Sequence, residues 1–167
     1  KDDSGAFVPD GQYAFVATAK DFTGTAAANA LTYKVVADRT APVISAVSIN
    51  NAYFSPNPAN SNSSIQDTTL SYTVQDNLEP LIKDAVIANS DKVKTDILIY
   101  NGSTLAYTLR GGVLEAATTA GTAHSALWGG QYLVNQYVGT ANGSGSLLDG
   151  TYTFQIEVTD LAGNVSM

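Results

Sequence analysis

Apolar and polar residues alternate one for one from Leu70 to Gln75. Leu70, Tyr72 and Val74 fall on one side, and Ser71, Thr73 and Gln75 on the other. A period of two is that of a strand with one buried face. Tyr13–Ala19 alternates aromatic and small residues, Leu31–Ala37 (LTYKVVA) is a second β-rich run, and Val43–Ile49 is a third. Asp96–Tyr100 and Leu105–Leu109 flank an Asn101-Gly102 turn, which supplies the positive φ angles of a tight hairpin. Ala126–Trp128 is short, and Tyr152–Thr159 is the last run. A period of 3.6 is nearly absent. The best helical candidate is a turn or two within Leu78–Asn89, limited at its start by Pro80. Short strands separated by turn clusters predict an all-β antiparallel sandwich.

Two stretches of the chain carry the same phrase. DGQYAFVATAKDFTGT runs from Asp10 to Thr25, and DGTYTFQIEVTDLAGN from Asp149 to Asn164. Asp10 answers Asp149, Tyr13 answers Tyr152, Phe15 answers Phe154, Asp21 answers Asp160 and Gly24 answers Gly163, each 139 positions apart. A constant offset over a whole phrase marks a repeated structural unit. The first copy is followed by Leu31–Ala37 and then by DRTAPV, in which Pro42 has no N–H to give to a sheet. Residues 1–38 therefore read as the closing strands of one unit, or as strands donated to another. Residues 39–42 read as a linker, and residues 43–167 as a unit lacking its last strand. The expectation is a window on a longer array. Ser55–Asp67 and Gly139–Gly150 read as polar loops.

Composition narrows the partners. Hydrophobic residues are 44% of the chain, enough for a core, while charged residues are only 14% against roughly 25% in an average soluble protein. Ser, Thr, Asn and Gln must carry solubility, which suits strands with hydroxyl-rich outer faces. The net charge of −7 repels phosphate backbones, so nucleic acid is not expected as a partner. No apolar run reaches the ~20 residues of a spanning helix, so no membrane insertion is expected. The absence of Cys removes disulfides and thiolate chemistry.

Three pieces of residues 43–167 carry a family resemblance. They are YFSPNPANSNSSIQDTTLSYTV, TDILIYNGSTLAYTLRGG, and HSALWGGQYLVN followed at a distance by LLDGTYTFQIEVTDLAGN. In this order they resemble the Ig-like domain of flagellar hook-capping proteins, which is appended to many bacterial surface proteins. A similar module, described as fibronectin-III-like, occurs in cell-envelope subtilisin-type proteases. Asp38–Pro42 is similar to the linker between tandem bacterial Ig-like modules. Two departures stand out. Gly129 follows Trp128 where the family has Asp, and of the acids in the family's F-S-P-N loop only Asp67 is kept. The resemblance implies an Ig-like β-sandwich that spaces, caps or assembles without chemistry of its own.

His124 is the only His, and no G-x-S-x-G elbow is present, so the expectation is a structural His near Trp128 and no catalytic residue. Asp2 with Asp3, and Glu79 with Asp84, read as solvated charges rather than a glycosidase pair. No cofactor is expected. Calcium is the one metal to consider, either in the Asn57–Asp67 loop with Asn57, Asn60, Asn62, Ser63 and Asp67, or at a junction of Asp38 with Asp21 and Asp160. The competing reading is turn formation, with Asp21 and Asp160 accepting backbone N–H groups and Gly24 and Gly163 taking positive φ. Tyr13 and Tyr152 are expected as strand-to-loop anchors, and Trp128 as a core plug. The sequons at Asn62, Asn101, Asn142 and Asn164 are what Asn- and Ser-rich turns produce by chance.

The function expected is structural. The chain reads as a module of a bacterial extracellular or cell-surface protein, a stalk, sheath, filament or adhesin. Its partners are neighbouring Ig-like units of the same or identical chains, with a homopolymer among the possibilities. The rivals are an accessory domain of a secreted protease or other hydrolase, and a carbohydrate-binding module. The last predicts an exposed aromatic row, for which Tyr107, Tyr132 and Tyr137 are the candidates.

Overall fold

The structure, a computed structural model, describes residues 4–26, 30–54, 62, 64, 66–77, 92–129, 140–141 and 150–167. Ten strands appear among them and no α-helix. They are β1 (Gly11–Ala17), β2 (Leu31–Ala37), β3 (Val43–Ile49), β4 (Asp67–Gln75), β5 (Lys92–Asn101), β6 (Thr104–Ala116), β7 (Thr122–Gly129), β8 (Thr140–Ala141), β9 (Tyr152–Thr159) and β10 (Val165–Ser166). The helical candidate in Leu78–Asn89 lies outside the described residues.

All paired strands are antiparallel, in three sheets. One has the order β10-β9-β5-β6-β8, one the order β3-β4-β7, and β1 pairs only with β2. The alternation in the sequence becomes the core. β4 turns Thr68, Leu70, Tyr72 and Val74 inward, and every second residue between them is half-buried. β5 contributes Val93, Thr95, Ile97 and Ile99, and β9 contributes Ile156 and Val158. These two inner faces meet in one cluster, giving an all-β, sandwich-like body. Trp128 fills its end with 2% of its surface exposed. The rings of Phe54, Tyr152 and Phe154 stand edge-on around it, at centroid distances of 5.1, 5.1 and 5.4 Å.

Several strands differ from the sequence-based limits. β6 continues past the expected Leu109 to Ala116, through Gly111 and Gly112. The pair is a bulge: the register against β5 shifts there, Gly112 takes φ +66°, and its N–H donates to Asp96 Oδ1 at 2.6 Å. β7 begins at Thr122, before the expected Ala126, because its small and polar residues show no alternation but pair with β4 from Val74 to Asp67.

β1 and β2 form a hairpin with little burial of its own. Tyr13, Phe15 and Ala17 share one face with their cross-strand partners Val35, Tyr33 and Leu31. On that face Phe15 is 64% exposed, Tyr33 65% and Leu31 61%.

Candidate functional site

Two polar clusters stand out. The first lies where the hairpin meets the sandwich. Asp10, at the start of β1, accepts hydrogen bonds on Oδ2 from the Thr40 hydroxyl and from Asn77 Nδ2, the latter at 3.5 Å. Its Oδ1 faces Arg39 Nε at 3.8 Å. The Thr40 hydrogen bond is the main cause that holds the Asp10 carboxyl below its usual range. One residue before Arg39, Asp38 accepts the Thr40 backbone N–H at 3.0 Å. Asp38 is pushed up to about 6, first by burial and then by the charges of Asp160 and Asp76, against the Thr40 N–H. Pro42, fully buried, accepts the Ser166 hydroxyl on its carbonyl, tying β10 to the start of β3.

The junction expected from the sequence is therefore assembled in part. Asp38 and Asp160 are brought together. Asp21 is not: β1 carries it to the far tip of the hairpin, roughly 20 Å from the root at 3.3 Å per residue. Among the described residues no three His, Cys, Asp or Glu side chains converge as metal ligands. Asp160 spends its Oδ1 on the Asn164 N–H and its Oδ2 on Asn164 Nδ2, at 2.9 and 2.8 Å. Asn62 spends its Oδ1 on Ser64, through the backbone N–H and the hydroxyl. Both act as turn formers. Asn57, Asn60 and Ser63 lie outside the described residues, as do Asp2, Asp3, Glu79, Asp84, Tyr132, Tyr137 and Asn142.

The second cluster was not visible in the sequence, apart from His124. Glu115 on β6 is buried and lies between three partners. Its Oε2 accepts the Tyr72 hydroxyl at 2.6 Å, its Oε1 is ion-paired with Arg110, and His124 Nδ1 stands 3.7 Å from the same oxygen. Arg110 also donates to the Tyr72 oxygen at 3.1 Å and to the Ser125 carbonyl. His124 Nε2 sits 2.8 Å from the Ala116 carbonyl, at the distance of a donated hydrogen bond. Burial raises the Tyr72 phenol, which stays a protonated donor. A cavity of about 800 Å³ opens beside this group, between β6 and β7, lined by Arg110, Val113, Glu115, His124, Leu127 and Trp128. The Glu115 oxygens are occupied by partners within the protein, so the geometry is that of a tie between the two sheets. The signal that would have found it is a Glu and an Arg inside an otherwise neutral β-run, since a charge there is buried only with a partner.

Tyr13 anchors as expected and Trp128 is the expected plug, while Tyr152 is placed as a core ring. Tyr13 donates to the Pro9 carbonyl at 2.7 Å, Tyr152 packs on Trp128, and Trp128 is buried. Tyr107, a candidate for an exposed aromatic row, is buried, and its hydroxyl is raised by that burial.

The chain matches no protein-family model, and no curated protein and no solved structure is significantly similar to it.

Proposed function

We propose that this chain is a non-catalytic structural module of a bacterial extracellular or cell-surface protein, built from Ig-like units joined end to end. One observation carries the reading. The turn that closes the sandwich recurs, with the same backbone hydrogen bonds and the same Asp cap, at the tip of the N-terminal hairpin. Asp21 N donates to Thr25 O at 3.0 Å, as Asp160 N donates to Asn164 O at 3.1 Å. Gly24 N donates to Asp21 O at 3.0 Å, as Gly163 N donates to Asp160 O at 3.3 Å. Gly24 and Gly163 take φ of +86° and +91°. The Asp oxygens cap the same backbone position, Asp21 Oδ1 to Thr25 N and Asp160 Oδ1 to Asn164 N, both at 2.9 Å. Two copies of one closing device, at a constant offset in a single chain, support serial modules.

The test is location together with inertness. Antibodies to residues 43–167 are expected to decorate intact cells of the source organism, and the purified chain is expected to leave ester, peptide and glycan substrates unchanged. Antigen confined to the cytosol would overturn the reading. So would turnover that is lost in His124→Ala.

A further inference from the structure

The hairpin β1–β2 presents an apolar face and a strand edge that nothing among the described residues covers. The internal repeat identifies what does. We propose that β1 and β2 are the closing strand pair of a second unit of this kind, and that their occupant is a body equivalent to residues 43–148 of such a unit. This rests on the serial reading above and names the partner of the hairpin within it.

The edge is assigned by pairing. β9 has β10 on one side, starting at Val165 opposite Thr159, and β5 on the other. In the hairpin, Ala26 bridges Lys20, the same pair 139 positions earlier. The chain after the turn therefore returns on the same side in both copies, and β2 takes the β10 side of β1. The side left open on β1 is the one that β9 gives to β5. The register carries over. Asn101 opposite Tyr152 and Lys94 opposite Thr159 become a β5-like strand spanning Tyr13 to Lys20.

The face is assigned by packing. Tyr152 and Phe154, which answer Tyr13 and Phe15, pack against Trp128 in the sandwich core, and Ile156 and Val158 on the same strand are buried. Phe15 is left with Tyr33 and Leu31 beside it and more than half of its surface exposed. A two-stranded hairpin without a covered face is marginal in water. The face that would be the core side of a unit is the one that is bare.

The experiment lengthens the chain. Residues 43–148 are placed before Asp10, so that Leu148 runs into Asp10 where Asp149 would stand, and all of 10–167 is retained. Native-state hydrogen exchange is read at the β1 amides, with the β4 amides of the original sandwich as the internal control. The expected result is protection of β1 at least about 100-fold above that in the unlengthened chain, the difference between a frayed element and one inside a cooperative unit. Phe15→Ala should lower that protection, while leaving the unfolding midpoint of the unlengthened chain in place. Three results overturn the proposal. In one, β1 exchanges equally fast in both chains. In another, the added body stays unfolded beside an intact original sandwich. In the third, the unlengthened chain is a dimer that becomes monomeric with Phe15→Lys, which makes a second copy of the whole chain the occupant. None of these results depends on where the parent protein resides, so failure here and failure of the surface-module reading are separable.

Discussion

The Tyr72 hydroxyl donates to Glu115 Oε2 at 2.6 Å from the opposite sheet. Tyr72 belongs to β4 in the three-stranded sheet and Glu115 to β6 in the five-stranded one. A buried hydrogen bond therefore crosses the sandwich and fixes how the two sheets face each other. A hydrogen bond to a charged group contributes about 1.5–3 kcal/mol. Tyr72→Phe, which removes only the hydroxyl, is expected to lower stability by about that amount in denaturant unfolding. A loss under about 0.5 kcal/mol would mean that the bond is not formed in solution.

Trp128 and Phe15 should respond very unequally to the same change. Trp128→Ala empties a site ringed by Phe54, Tyr152 and Phe154, and should cost about 3–5 kcal/mol. Phe15→Ala removes a side chain that is 64% exposed, and should stay within about 0.5 kcal/mol. Paired denaturant midpoints at unchanged m-value are the check.

Stability should also depend on pH through Asp38. Its carboxyl is raised from 3.8 to about 6, so the folded chain holds that proton more tightly than the unfolded one. The contribution is complete below about pH 4 and is lost as pH rises through about 6. Asp10, held down chiefly by Thr40, acts in the opposite sense, with stability present above its unfolded value and lost as pH falls. Asp38→Asn keeps an acceptor for the Thr40 N–H. It is expected to exceed the parent in thermal midpoint at neutral pH and to show a shallower decline from about pH 4 to about pH 6. An unchanged slope would remove Asp38 from the account.

Gly129 has φ +125°, and a Cβ there would meet Asp67 Cα, the Gln66 carbonyl and the Phe54 ring at 2.9 Å each. Two of these three neighbours are backbone and cannot turn aside. An Asp side chain at this position has no room. Gly129→Asp should destabilise by about 2 kcal/mol or more, combining backbone strain of about 1–3 kcal/mol with the clash. Chemical unfolding that matches the parent would show that β7 ends differently.

Thr95 is fully buried, and among the described residues its Oγ1 has no hydrogen-bond partner. A buried unpaired hydroxyl costs about 1–3 kcal/mol. Thr95→Val keeps the shape and should raise stability by about 1 kcal/mol. A fall in the unfolding midpoint would reveal a partner for that oxygen.

The elements legible in the sequence were those with one wet and one dry face. Leu70–Gln75 declared β4 because Leu70, Tyr72 and Val74 alternate with half-buried polar residues. The β5–β6 hairpin was legible from Gly102, which takes φ +59°, but Asn101, expected to share the turn's positive φ, is instead the last residue of β5, paired with Thr104. The far end of β6 was not legible. The expected strand ended at Leu109, yet Asp96 holds the Gly112 N–H and lets β6 run on as a bulged strand. That contact joins residues 16 positions apart, which local pattern does not contain. Glu115 was hidden for the same reason, since its partners come from β4, β7 and β6 itself. The repeated turn was legible because all of its hydrogen bonds fall within five residues.

Five residues, Asp38–Pro42, separate β2 from β3. A free segment of that length behaves as a swivel. Here Arg39 and Thr40 are held by Asp10, and the Pro42 carbonyl by Ser166. A joint pinned at both ends transmits bending and torque instead of absorbing them. If the units are serial as proposed, joints of this kind would extend the persistence length over several units.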